Sequence, residues 1–190
     1  NIPILVASSF TEEPGTLIHG GVDMEGFNRV RGIAHDVDVA KITIRGVPDR
    51  PGVAAEIFAP LADAHLSVDT IVQNASSEAL TDITFTLAKN DLKAAFPHVE
   101  AIAKTIGAKD VVADERMAKV SIVGTGIQSA PGYAARMFRT LSDAGINIEI
   151  IATSEIRITC IIPEDRVADA VRALHAGFEL EKAEASDLSA

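Results

Sequence analysis

The chain has 190 residues, 47% of them hydrophobic but only 4% aromatic and none tryptophan, so its cores must be built from Val, Ile, Leu and Ala. A formal charge of −10 repels phosphate backbones and anionic lipid, which argues against nucleic acid and membrane surfaces as partners. Cys160 has no mate for a disulfide, as expected in a reducing cytoplasm, and the five histidines show no metal-ligand spacing.

Residues 1–36 read as an N-terminal extension. Within it 2–7 is a buried strand, Glu13-Pro14-Gly15 a turn, His19-Gly20-Gly21 a loop, and 30–34 an additional edge strand. No basic region precedes 2–7, and no apolar run approaches the roughly 20 residues of a membrane span. A first folded unit, 37–115, opens with a strand at 39–47, where Lys41, Thr43 and Arg45 alternate with Ile42, Ile44 and Val47. Pro48-Asp49-Arg50-Pro51-Gly52 ends it, and Pro51 suits the first turn of a helix, where its missing N–H costs nothing. Val53, Ile57, Phe58 and Leu61 then mark one apolar helix face. Strands at 67–73 and 81–87, joined by a polar turn at 74–78, precede a helix from the N-cap Asp91 to 106 and a strand at 110–113.

Eighty residues on, the pattern returns without a gap: Gly46, Pro51, Gly52, Phe58, Leu61 and Asp63 are matched by Gly126, Pro131, Gly132, Phe138, Leu141 and Asp143. A second unit, 116–183, therefore repeats the order. Its strands are predicted at 120–123, 146–152, 155–162 and 178–181. Its helices carry Tyr133, Met137, Phe138 and Leu141 on one face and span 164–175, and 184–190 is a flexible tail. The fold class is α+β: two ferredoxin-like βαββαβ units in tandem, each a four-stranded antiparallel sheet with both helices on one face. Ile71, Ile83, Phe85, Ile148 and Ile150 leave more apolar strand surface than those helices cover, which predicts pairing of units and of chains into a dimer.

Catalytic constellations are thin. No Ser-centred elbow and no phosphate-binding glycine loop is present, and Gly124-Thr125-Gly126 reads as a strand-end bulge. Asp36 with Asp38, and Glu164 with Asp165, read as solvated carboxylates or caps, and Cys160 as a small core residue. The repeat does offer the same strand-to-helix turn twice. Gly52 and Gly132 turn the chain so that the first amides of a helix face outward at the positive end of its dipole, a seat for a small carboxylate. Asp49 beside the first turn can take an ammonium group; its counterpart is Ser129, so the two turns are not equivalent. The competing view is that Pro-Gly is a routine helix start and Asp49 only a cap.

The turn Asp49-Arg50-Pro51-Gly52-Val53-Ala54 within a βαββαβ unit resembles the ACT domain, an amino-acid-binding regulatory module. Gln73-Asn74-Ala75-Ser76, Thr81-Asp82-Ile83-Thr84-Phe85-Thr86, Lys119-Val120-Ser121-Ile122-Val123-Gly124, Gly145-Ile146-Asn147-Ile148-Glu149 and Thr153-Ser154-Glu155-Ile156-Arg157-Ile158 are similar to the tandem ACT region of aspartate kinases. Phe10 with Pro14-Gly15-Thr16 resembles the end of that family's kinase domain. The resemblance implies the regulatory portion, or a separate β-type subunit, of aspartokinase, a cytoplasmic enzyme that phosphorylates the aspartate side chain with ATP and is inhibited by L-threonine, L-lysine or both. It implies no catalytic residue, metal or cofactor in this chain, ATP and Mg belonging to the kinase domain, and a catalytic subunit or domain as partner. It places effectors between the first ACT unit of one chain and the second of another in a homodimer. One side would be Asp49, Gly52, Val53, Ala54, Ser67, Val68, Asp69 and Gln73; the other Tyr133, Ala134, Asn147, Ile148, Ser154 and Glu155. The turn at 76–81 is shorter than in many relatives and Gln128-Ser129-Ala130 is not the commoner basic version, departures that bear on the second site and on lysine. Rival functions are a regulatory ACT subunit of another amino-acid biosynthetic enzyme, a purely structural dimerisation module, and an acyl-phosphate hydrolase using Arg50, whose neighbour Asp49 would repel the phosphate.

Overall fold

The computed structural model describes residues 4–6, 16–18, 30–74, 79–125, 127 and 131–181. The turn at 13–15, the loop at 19–21, most of the turn at 74–78, Gly126, the stretch 128–130 and the tail at 184–190 lie outside them. Strands β1 (Ile4–Val6) and β2 (Thr16–Ile18) form an antiparallel pair of their own. The first falls inside the strand predicted at 2–7; the second was not anticipated.

Six further strands make one antiparallel sheet: β3 (Gly32–Pro48), β4 (Ile71–Gln73), β5 (Leu80–Leu87), β6 (Asp110–Val123), β7 (Ile150–Ser154) and β8 (Arg157–Pro163), in the order β4-β5-β3-β6-β8-β7. Helices α1 (Val53–Asp63), α2 (Lys89–Ile106), α3 (Tyr133–Asp143) and α4 (Val167–Gly177) connect them, with a short 3-10 turn at Glu164–Arg166 before α4. At 17 and 14 residues, β3 and β6 are far longer than an ordinary strand because each serves both units. The strands predicted at 110–113 and 120–123 are the two ends of β6.

In the first unit β6 begins beside β3, with Ile42 opposite Ala113 and Ile44 opposite Val111, giving the ferredoxin-like order β4-β5-β3-β6. The second unit reaches the same arrangement differently. Its fourth strand is the front of β3, where Ile33 lies opposite Ile122 and His35 opposite Val120. The predicted edge strand at 30–34 thus belongs to the second unit's sheet, and the first unit is inserted between that strand and the rest of the second. The strand predicted at 178–181 does not form: 178–179 is a turn and 180–181 is helical. Phe178 and Leu180 are buried as alternation demands, but the place beside β6 that a fourth strand needs is already taken by β3.

Two helix-covered cores result. Ile42, Ile44, Ile83 and Phe85 meet Val53, Ile57 and Leu61 of α1 and Ala95, Val99 and Ala103 of α2. Val120, Ile122, Ile158 and Cys160 meet Met137 and Leu141 of α3 and Ala170 and Leu174 of α4. Ile83 and Phe85, expected to need outside cover, are fully buried under their own helices, whereas Ile71 stays 48% exposed. Phe58 packs edge-on to Phe85 at 5.2 Å between ring centres. Helix α2 starts before Asp91 because its cap comes from far upstream: the Lys89 amide donates to Asp38 Oδ1 at 2.8 Å. Asp91 instead lies in the first turn, where its charge suits the dipole.

Register shifts where the long strands meet, at Asp36 to Val39 and Val39 to Lys41 of β3, keep the apolar residues of both units on one face. Among the described residues the opposite face carries no helix. There the sheet is strongly curled, as two contacts demonstrate. Asp69, in line with β4, bonds Lys119 of β6, and Lys41 of β3 bonds Glu149, just before β7, at 2.9 Å. In a flat sheet each pair would stand three strand spacings apart, about 14 Å, farther than these side chains span. A third apolar cluster of Val39, Met117 and Ile161, with Ile150 against it, fills the bend.

Candidate functional site

The turn into α1 runs from the end of β3 through Gly52. The Asp49 amide donates to the Ala79 carbonyl at 2.8 Å, which ties the end of β3 to β5. Gly52 then takes φ 92°, and a Cβ there would meet nothing within 4 Å, so the turn is open above the backbone. Among the described residues no side chain caps the helix, Asp49 included. Arg50 grips Glu56 in a two-pronged bond of 2.7 Å on each side. The Arg50 hydrogen bonds hold the Glu56 carboxyl below its ordinary range, against a smaller effect of desolvation. With its fork occupied, Arg50 is not free to cradle a phosphate, which counts against the acyl-phosphate hydrolase.

At the matching turn at Gly132, φ 102°, no side chain among the described residues caps the helix either. Its surroundings differ. Tyr133 stacks on Phe178 with ring centres 6.3 Å apart and planes 7° from parallel, while the Arg136 guanidinium lies 5.0 Å above the Phe178 ring. Arg136 Nε also donates to the Gly177 carbonyl at 2.6 Å, so the start of α3 is fastened to the end of α4.

The residues predicted for the first unit's site fall into two groups. Asp49, Gly52, Val53 and Ala54 share one end of the sheet with Gln73, which lies opposite Ile83 at the end of β4, two strands away from β3 and so about 10 Å off. Val53 itself is buried in the core. Ser67, Val68 and Asp69 are at the other end: the Asp69 amide donates to the Thr86 carbonyl at 2.8 Å, and Val68 packs on the first core. The second unit divides in the same manner. Asn147, Ile148 and Glu149 precede β7, where Glu149 N–H bonds the Ile161 carbonyl at 2.8 Å and Ile148 packs on the second core. Ser154 and Glu155 sit at the β7–β8 turn, close to the end of β6, where the Gly124 amide donates to the Ile156 carbonyl at 2.9 Å.

Asp69 and Ser154, assigned to opposite sides of a seam between chains, line one cavity within this chain. It has a volume of about 280 Å³ and is also walled by Thr70, Lys119, Arg157 and Thr159. Lys119, Arg157 and Thr159 were not singled out as site residues; the signal was their place on the polar phase of β6 and β8. A larger cavity of about 520 Å³ lies at the bend between Asp114, Arg116, Met117, Pro163, Glu164 and Asp165, away from every predicted site residue. There the Arg116 amide is the main cause of a lowered Asp114 carboxyl. Burial pushes the Cys160 thiol up to about 12, so it stays protonated and inert. Among the described residues no group of three His, Cys, Asp or Glu is placed to hold a metal, and no helix is long and apolar enough to cross a membrane.

Family models described as the ACT domain match residues 42–106 and 120–178, one in each unit. Fold and turns together therefore define a protein with two ACT domains. The chain is 49% identical over 184 residues to an aspartate kinase of Pseudomonas fluorescens (strain SBW25), covering 95% of itself and 44% of that protein, so it spans less than half of that relative's length. It matches a crystal structure of aspartokinase alpha and beta subunits at 44% identity and TM-score 0.75, over 80% of this chain and 99% of that one. It matches the ligand-free regulatory subunit of aspartate kinase from Thermus thermophilus at 40% identity and TM-score 0.75, over 79% and 99%. The chain belongs to the aspartate kinase family, and what it matches there is the regulatory part.

Proposed function

We propose that this chain is the amino-acid sensor of an aspartate kinase, taking L-threonine at the α1 turn, with L-lysine as the other candidate effector. The single observation that carries the proposal is the uncapped start of α1 at Gly52 with the exposed carboxylate of Asp49 beside it. Backbone amides meet the ligand carboxylate, Asp49 meets its ammonium group, and Gln73 reaches a hydroxyl or a carboxylate oxygen.

The site is completed by a second copy of the chain in a homodimer, whose second unit brings Tyr133, Ala134, Asn147, Ile148, Ser154 and Glu155 toward the first unit's Gly52 turn. The outer edges of β4 and β7, unpaired among the described residues, support this view. Ile71 and Ile151, eighty residues apart and equivalent in the repeat, are 48% and 47% exposed on those edges, a surface that edge-to-edge association would cover. Ligand bound across the seam stabilises the closed dimer and restrains a catalytic aspartokinase subunit or domain, with about 1–3 kcal/mol of coupling sufficient for a usable response. ATP and Mg act on that catalytic part, in the cytoplasm, and this chain needs no cofactor of its own.

Calorimetric titration with threonine and with lysine, alongside sedimentation, tests the proposal. Saturable heat at millimolar ligand or below and a tighter dimer are expected, and Asp49→Ala should abolish the heat while leaving the circular dichroism unchanged. No heat and no thermal shift with either amino acid, at an unchanged oligomeric state, would leave only a structural dimerisation module.

A further inference from the structure

We infer that the cavity between the two units is a binding site for a small oxyanion, a phosphate or a carboxylate, gripped by Arg157 with Lys119 beside it. Its volume of about 280 Å³ is several times the roughly 30 Å³ share of one water molecule. Lys119, Arg157 and Thr159 line it from the helix-free face of the second unit, and Asp69 and Thr70 line it from the first. Two cations against one carboxylate make the place locally positive in a chain whose net charge is −10.

The two cations differ in availability. Lys119 is already bonded to Asp69, whereas the Arg157 guanidinium has no ion-pair or hydrogen-bond partner among the described residues. A guanidinium fork matches two oxygens of a carboxylate or phosphate at once, which a lysine cannot do. The walls are held in place beforehand. The Thr70 amide donates to the hydroxyl of fully buried Thr86 at 3.2 Å, and the Thr159 hydroxyl lies 2.8 Å from that of Ser121. An anion at Arg157 also competes with Asp69 for Lys119. Since the Asp69–Lys119 bond joins the two units, occupancy of the cavity alters how firmly they are strapped together. The Gly52 turn plays no part in this site, although Ile71 and Ser154 also line the cavity and belong to the surface assigned above to the dimer.

The test is titration of the chain with inorganic phosphate, and separately with acetate, at low ionic strength, followed by amide resonances. Saturable shifts confined to the neighbourhood of Thr70, Lys119 and Thr159 are expected with at least one of the two, and the tighter of them identifies the source of the oxyanion. Arg157→Gln should weaken binding about tenfold or more, and Arg157→Lys should restore part of it. Asp69→Asn should strengthen binding by removing the opposing charge and freeing Lys119. Shifts that rise linearly with both anions, an Arg157→Gln variant that binds as the parent does, or weaker binding in Asp69→Asn would each overturn the inference. A threonine titration read at Gly52 and Ala54 is scored independently, so failure of the sensor proposal and failure of this one are distinguishable.

Discussion

Replacing Gly46 by alanine combines two costs, of which Gly52→Ala incurs only one. Gly46 sits at an irregularity of β3 between Ile44 and Val47 with φ 62°, and an added Cβ would stand 2.9 Å from Lys109 Cβ. Neither side can retreat easily. The Gly46 amide is bonded to Asp82 Oδ1 at 2.8 Å, and the Lys109 amide to the Arg45 carbonyl at 2.8 Å. A left-handed conformation costs an L-residue about 1–2 kcal/mol. Relieving a clash of this kind adds about 1–3 kcal/mol. Gly52 has φ 92° but open space around the built Cβ, so only the first cost applies there. At about 2–4 °C per kcal/mol for a chain of this size, Gly52→Ala should lower the melting temperature by about 2–8 °C and Gly46→Ala by about 4–20 °C. Thermal unfolding followed by circular dichroism, with both variants in the same buffer, decides the matter. If Gly46→Ala melts no lower than Gly52→Ala, the close approach of Lys109 is not a constraint on the fold and the reasoning fails.

The carboxyls of Glu56 and Asp114 are both depressed in the folded chain, by Arg50 and by the Arg116 amide respectively. Their stabilisation is therefore complete above their ordinary values of 4.5 and 3.8 and is lost as pH falls through the depressed ones. Urea midpoints should drop on acidification over that window, and Asp114→Asn should flatten part of the drop; an unchanged slope in the variant would contradict it. Cys160, buried and with its thiol at about 12, should react with a thiol reagent at mild alkaline pH only after unfolding, and rapid labelling of the native chain would refute its placement. Ile33→Asp puts a charge against the second core and should cost about 2 kcal/mol or more. Hydrogen exchange should then rise in α3 and α4 before α1 and α2, and the reverse order would show that the front of β3 does not belong to the second unit.

Much of the fold was legible because it is local. Strand alternation in 39–47, the helix faces of Val53, Ile57 and Leu61 and of Met137 and Leu141, and the doubled Pro-Gly turn are written at periods that neighbouring residues enforce on one another. The misreadings fell where partners are remote. Asp38 caps α2 from 51 residues upstream, whereas local spacing offers only Asp91 as an N-cap. The apolar phase of Phe178 and Leu180 suits a strand, yet a strand forms only with a neighbour to bond, and the front of β3 had occupied that place.

The site shows the same division. Asp49 and Gly52 stand three positions apart in one turn, so that turn could be read directly from the sequence. The cavity holding Asp69, Lys119, Ser154 and Arg157 could not, because no periodicity in one strand says which way a six-stranded sheet will curl. Sequence alone thus determined two βαββαβ-like units, their helix faces and a doubled Pro-Gly turn, since each depends on residues a few positions apart. Only the tertiary structure decided that the second unit takes its last strand from before the first, and that the helix-free face closes on itself. Both outcomes depend on long-range hydrogen bonding and on ion pairs between units, which carry no signature in local spacing.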